Sequence, residues 1–141
     1  MTAAAAPESE ARALAQARVI ASGFIAGSVV VPAAVWWFQP PLLAVRLQAG
    51  RGVLYAALVV AALNAVGLAL RTRFQASARR AEDVDDVRWL LLLSSVAPSG
   101  FAEAAAVFTT LAWMHAAFHP GFLPLFVPTA VVLWLAWPRP A

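Results

Sequence analysis

WLLLLSSVAPSGFAEAAAVFTTLAWMHAAF, residues 89–118, is the stretch on which the fold turns. It is apolar almost throughout, yet Pro98 and Gly100 interrupt it and one carboxylate, Glu103, sits inside it. At 1.5 Å per residue it would run roughly 45 Å as a single helix, against roughly 30 Å of bilayer hydrocarbon. Pro and Gly break or kink helices. Either residues 89–97 form an interfacial turn ahead of a span that starts at Ser99, or one kinked, tilted helix covers the whole segment.

The rest of the chain points to lipid as well. Of 141 residues, 62% are hydrophobic and 12% charged, more apolar than a soluble domain of this size allows. Three further apolar segments lie at 17–38, 52–70 and 120–138, the last a short one with Pro124 and Pro128 inside. The expected architecture is an all-α integral membrane protein with four transmembrane helices, the third kinked or broken near Pro98 to Gly100. Residues 1–16, Ala-rich with Pro7, Glu8 and Glu10, read as a disordered or surface-helical tail. They lack the basic start and adjoining apolar region of a cleavable signal.

Orientation follows from the basic residues, all of them arginine. With the N-terminus inside, Arg12, Arg18, Arg71, Arg73, Arg79, Arg80, Arg88 and Arg139 are cytoplasmic, and only Arg46 and Arg51 are outside. Trp36, Trp37 and Trp113 then mark the outer interface and Trp89, Trp134 and Trp137 the inner one. This is an N-in, C-in chain, and its Ala- and Arg-rich composition suggests the inner membrane of a bacterium. A net charge of +3 with arginines confined to the connections excludes a nucleic-acid surface. The absence of cysteine excludes disulfides and thiolate metal sites.

The connections differ in kind. Residues 39–51 are half apolar, and Leu42, Leu43, Val45 and Leu47 suit an amphipathic turn on the outer leaflet. Residues 71–88 form a charged cytoplasmic loop in which Arg79 and Arg80 precede Glu82, Asp83, Asp85 and Asp86 closely enough for ion pairs. That loop is a solvated connector or a docking site for a soluble partner. His119 to Gly121 reads as a tight turn joining helices three and four.

An ionisable side chain inside a span is a functional hypothesis by default. Ser95, Ser99, Glu103 and Thr110 fall on approximately one helical face, with Ala106 in the gap. Asn64 is the other strongly polar side chain within a span, and counting from the charged loop places it near the depth of Glu103. An Asn64–Glu103 hydrogen bond is therefore expected. Three roles compete for Glu103: a carboxyl that ties helices together, a charged group in the first turn of a helix beginning at Ser99, or a carrier of protons or cations.

The helix, Arg-rich loop and second helix containing FAEAAAVF (101–108) resemble the proteolipid c-subunit of rotary ATP synthases. The resemblance covers residues 100–109 and the hairpin around them, and it implies that Glu103 is an ion-binding carboxylate. The chain departs from that family in lacking its repeated Gly-x-Gly helix and its Arg-Gln-Pro loop, and in having two flanking helices.

Two smaller motifs remain. GFIAG, Gly23 to Gly27, is a G-x-x-x-G that lets helix backbones approach closely, within the monomer or between copies. His115 and His119 are spaced i, i+4, as two metal or haem nitrogens on one helical face would be, but no third ligand is near in sequence. No nucleophile–base pair or phosphate-binding loop is present, so the chain does not read as an enzyme. The sequence implies no cofactor beyond lipid. The expected role is a small accessory or scaffolding subunit, packed with other membrane subunits or with itself. Ion translocation through Glu103 and pigment or cofactor binding are the alternatives.

Overall fold

The computed structural model describes residues 5–38 and 49–139, and among these every regular element is helical. They are α1 (Ala5–Phe38), α2 (Ala49–Ala78), α3 (Val84–His115), a 3-10 helix (Pro120–Leu125) and α4 (Phe126–Ala136). The first three are long and apolar enough to cross a membrane. The fourth segment is shorter, because Pro124 cannot donate its backbone bond and the chain winds as a 3-10 helix before α4 begins. The longer rise per residue of a 3-10 helix lengthens it, so Pro120 to Ala136 still extends about 28 Å.

Both ends of the expected helices move. The tail is not separate: α1 begins at Ala5, since alanine has the highest helix propensity and Pro7 falls in the first turn, where proline is tolerated. The charged loop shrinks to residues 79–83, because RTRFQASA contains no helix breaker and α2 runs on to Ala78. Asp83 caps α3, its carboxylate accepting from the Asp85 amide at 2.9 Å, and Asp85 and Asp86 follow in the first turn. Asp85 pairs with Arg88 at 3.4 Å. The pairs expected of Arg79 and Arg80 do not form among the described residues. The amphipathic turn expected at Leu42, Leu43, Val45 and Leu47, with Arg46, lies outside the described residues.

Helix α3 is continuous through Pro98, so the break before Ser99 does not occur. Serine hydroxyls flank the proline, Ser94 donating to the Leu91 carbonyl at 2.7 Å and Ser99 to the Ser95 carbonyl at 2.8 Å. The carbonyl that Pro98 deprives of its amide is that of Ser94, four residues back, and neither hydroxyl donates to it; the helix runs on through the proline, as membrane helices tolerate. Gly67 of α2 seats directly on this turn: a Cβ there would lie 3.1 Å from both the Pro98 Cα and the Phe101 Cβ.

Helix α3 is the centre of the bundle, in contact with α1, α2 and α4. Phe24 lies over Gly100, Gly27 against Glu103 and Trp36 on Trp113, so α1 runs parallel to α3. Helix α2 runs antiparallel, with Gly67 at Pro98 and Ala56 packed in one cluster with Ala112 and Trp113. Helix α4 is antiparallel to α3 too: Phe126 meets Trp113, and Val132 and Leu133 pack with Ala102.

At one end of the bundle arginines clamp the C-terminus of α4. The Arg71 guanidinium donates to the Leu135 carbonyl, Arg18 Nε donates to the Pro138 carbonyl at 3.4 Å, and Arg139 stacks 4.9 Å above the Trp134 ring. The last carbonyls of a helix lack intrahelical donors, and cations favour that end. At the opposite end Trp36 and Trp113 stack at 5.2 Å, with Phe118 edge-on to both. Arg18 and Trp36 are about 27 Å apart along α1, close to the thickness of bilayer hydrocarbon. Large apolar side chains between them, such as Val29, Val30, Leu58 and Val131, are exposed.

Candidate functional site

Half-way between the arginine and tryptophan ends, each of the four segments contributes a polar group or a glycine. Gly27 and Ser28 come from α1, Asn64 from α2, Glu103 from α3 and Thr129 from α4. The expected Asn64–Glu103 bond is absent. Asn64 Nδ2 donates instead to Thr129 Oγ1 at 3.4 Å, both side chains buried. Three helices meet around α3, and Asn64 points to the α4 side while Glu103 lies on the α1 side.

Glu103 is half-buried, and its carboxyl rests on the bare Cα of Gly27: a Cβ at Gly27 would be 3.1 Å from the Glu103 Cδ. The carboxyl has no hydrogen-bond or ion-pair partner among the described residues. It opens onto a shallow groove of about 380 Å³ on α3, floored by Gly100 and Ala104 and bordered by Val107, Phe108 and Leu111. With α3 starting at Val84, Glu103 belongs to the helix body, which removes the reading that places it in a first turn beside free amides. A charged group at such a depth costs roughly 2.5–3.5 kcal/mol on insertion scales unless something compensates it.

The other polar candidates do not converge on Glu103. Ser99 and Thr110 are buried and donate to the Ser95 and Ala106 carbonyls of their own helix, each at 2.8 Å. Thr109 does the same with the Ala105 carbonyl. Two buried atoms stay unsatisfied at this level, Ser28 Oγ and Asn64 Oδ1. Thr129 was missed from sequence; its signal is that it is the single hydroxyl in the fourth apolar segment.

Gly23 and Gly27 part company. Gly27 is filled by Glu103, whereas Gly23 has nothing within 4 Å of its Cβ position. The half of the motif that packs within the monomer is therefore Gly27 alone.

The histidines also separate. Helix α3 ends at His115, and Ala117 and Phe118 take the left-handed conformation, with φ of 51° and 59°. The Phe118 amide reaches back to the Trp113 carbonyl at 2.9 Å, which closes the helix end and turns the chain. His119 lands beyond the turn, its Nδ1 accepting from the Gly121 amide at 3.1 Å, and His115 Nδ1 is buried without a partner. The two no longer share a helical face. Among the described residues no three His, Cys, Asp or Glu converge on a metal position. Beside the turn, Trp36, Trp113, Phe118 and Phe126 line an apolar cleft of about 470 Å³.

Compared with known families, curated proteins and solved structures, the chain matches none.

Proposed function

We propose that the chain is a small non-catalytic subunit that packs in a larger complex or a homo-oligomer of the bacterial inner membrane. The observation that carries this reading is the condition of α1. Only 11% of its apolar window is buried, it reaches the bundle mainly through α3, and its Gly23 is open. A small-residue motif occupied at one glycine and vacant at the other has room for a second helix backbone.

Topology belongs to the same proposal. The 3-10 segment and α4 together are long enough for a fourth crossing, and the arginine clamp lies at the end of the bundle where α1 enters and α4 leaves. By the positive-inside rule that end is cytoplasmic. A soluble partner at residues 71–88 would meet the end of α2, with Arg73, Arg79 and Arg80 exposed. Extraction of the native membrane in mild detergent, followed by sizing and mass spectrometry, tests the reading. A stoichiometric partner or a defined oligomer is expected; a chain that runs only as a 14.9 kDa monomer removes it.

A second reading makes the chain a proton- or cation-translocating subunit, as the resemblance to the c-subunit implies. It is favoured by the unpartnered Glu103 carboxyl at mid-depth beside an open groove. Purified protein in vesicles under an imposed pH gradient should then relax that gradient, and Glu103→Gln should abolish the flux. Equal leak with and without the substitution rejects this alternative.

A further inference from the structure

We infer that the face shared by α1 and α3 at mid-membrane receives a transmembrane helix of another protein, and that this helix carries a basic side chain at the depth of Glu103. The inference rests on the subunit reading and names the partner's chemistry. Gly27 stands midway between Arg18 and Trp36, about 14 Å from each along α1, so the Glu103 carboxyl beside it is at the bilayer centre. There it has no polar partner among the described residues, and water is scarce.

The ground around it is cleared for a backbone. Gly23 is vacant, and on α3 the small side chain of Ala104, next to Glu103, is exposed alongside, because the two helices are parallel. Gly27 adds the third element: by lacking a side chain it leaves room for the carboxyl to rest on α1, beside that surface. The result is an acidic side chain beside open small residues on two helices, Gly23 and Ala104, which is complementary to a helix bearing one cation.

A second copy of this chain does not supply that cation. At this depth its amide is buried and bonded to Thr129, and the hydroxyls of Thr109 and Thr110 are buried and bonded to their own helix. Every described arginine sits toward one end or the other. Ser22 is exposed, but it donates to the Arg18 carbonyl at 2.7 Å and lies more than a turn nearer the arginine end. Two copies meeting on this face would bring carboxyl to carboxyl.

The test uses synthetic apolar helices of about 20 residues, long enough to span, with either Arg or Leu at the centre. The full-length chain has no cysteine, so Ser77→Cys on the exposed end of α2 gives one labelling position for energy transfer. In phosphatidylcholine–phosphatidylglycerol vesicles the Arg helix should bind about tenfold more tightly than the Leu helix, the size expected of an interhelical polar pair. Glu103→Gln should erase that preference, and Gly23→Leu should weaken both helices while leaving the carboxyl in place. Equal binding of the two helices by the unsubstituted chain overturns the inference without needing any variant to fold. Self-association that Glu103→Gln abolishes also overturns it, in favour of a second copy, while leaving the subunit reading intact. A native chain that is only ever monomeric removes the subunit reading instead.

Discussion

The carboxyl of Glu103 occupies the space that a side chain on Gly27 would fill, so a polar group of α3 is held in place by what α1 lacks. This pairing couples two features that look independent along the chain, a G-x-x-x-G motif and an intramembrane acid. It also separates Gly27 from Gly23, and these two together with Gly67 make distinct demands.

Replacing Gly23, Gly27 and Gly67 by alanine should rank them in that order of increasing cost. At Gly23 the new methyl meets nothing, so the gain in helix propensity, roughly 0.5–1 kcal/mol, should appear as added stability. At Gly27 it meets the tip of a flexible side chain, which can swing aside, and the net change should be small. At Gly67 it meets the Pro98 backbone at 3.1 Å, and overpacking there should cost about 1–3 kcal/mol. Unfolding titrations in mixed micelles measure all three, and an equal response at Gly23 and Gly67 would contradict the packing.

Glu103→Gln should leave expression and thermal stability nearly unchanged. Glutamine keeps the size and the hydrogen-bonding capacity of the side chain, and no ion pair among the described residues is lost. Glu103→Leu should differ by removing the polar group altogether. If the Gln variant fails to accumulate in membranes, an obligatory charge at this position follows.

The Asn64–Thr129 bond ties α2 to α4 and should show a measurable but small coupling. In a double-mutant cycle of Asn64→Ala and Thr129→Val the interaction term should be about 0.6 kcal/mol, within the range known for interhelical polar pairs in membranes. The long 3.4 Å separation argues for the lower part of that range. A coupling indistinguishable from zero would show that the two side chains act independently.

Arg71 should matter more than its neighbour Arg73. The former donates to the Leu135 carbonyl near the C-terminus of α4, whereas the latter is exposed on the same helix. Arg71→Gln should cost roughly 1.5–3 kcal/mol, the range for a hydrogen bond to a charged group, and Arg73→Gln less than about 0.5 kcal/mol. Protease sensitivity after α4 gives an independent readout, with cleavage near Trp137 expected to rise in the Arg71 variant alone.

Trp36→Ala should disturb α1 docking at the tryptophan end. It removes a parallel stack on Trp113 and an edge contact with Phe118, each worth about 0.5–1.5 kcal/mol beyond area. Near-ultraviolet circular dichroism should lose intensity, because two indoles 5.2 Å apart interact strongly. An unchanged spectrum would place the stacked pair in doubt.

Much of the fold follows from composition and spacing, and the limits of that legibility are physical. Apolar length marked the three long helices, and arginine and tryptophan positions marked the two ends, because a bilayer imposes thickness and polarity on any chain that crosses it. Helix ends were less legible: propensity carried α1 and α2 through segments read as tail and loop, and α3 runs unbroken through Pro98. The candidate site was visible only as a list of residues. Glu103, Asn64, Ser99, Thr110, Gly23 and Gly27 all stand out as polar or small in an apolar chain, but their partners depend on which side of α3 each neighbouring helix takes. Helical periodicity assigns a residue to a face of its own helix and says nothing of what stands opposite. Packing α1 and α4 on different sides of α3 sent Glu103 to Gly27 and Asn64 to Thr129, and a left-handed turn at Ala117 and Phe118 parted His115 from His119. The sequence by itself determined three helices long and apolar enough to cross a membrane, with one acid, Glu103, inside the third apolar segment; the tertiary structure decided that this acid lies half-buried against Gly27, with no hydrogen-bond partner among the described residues.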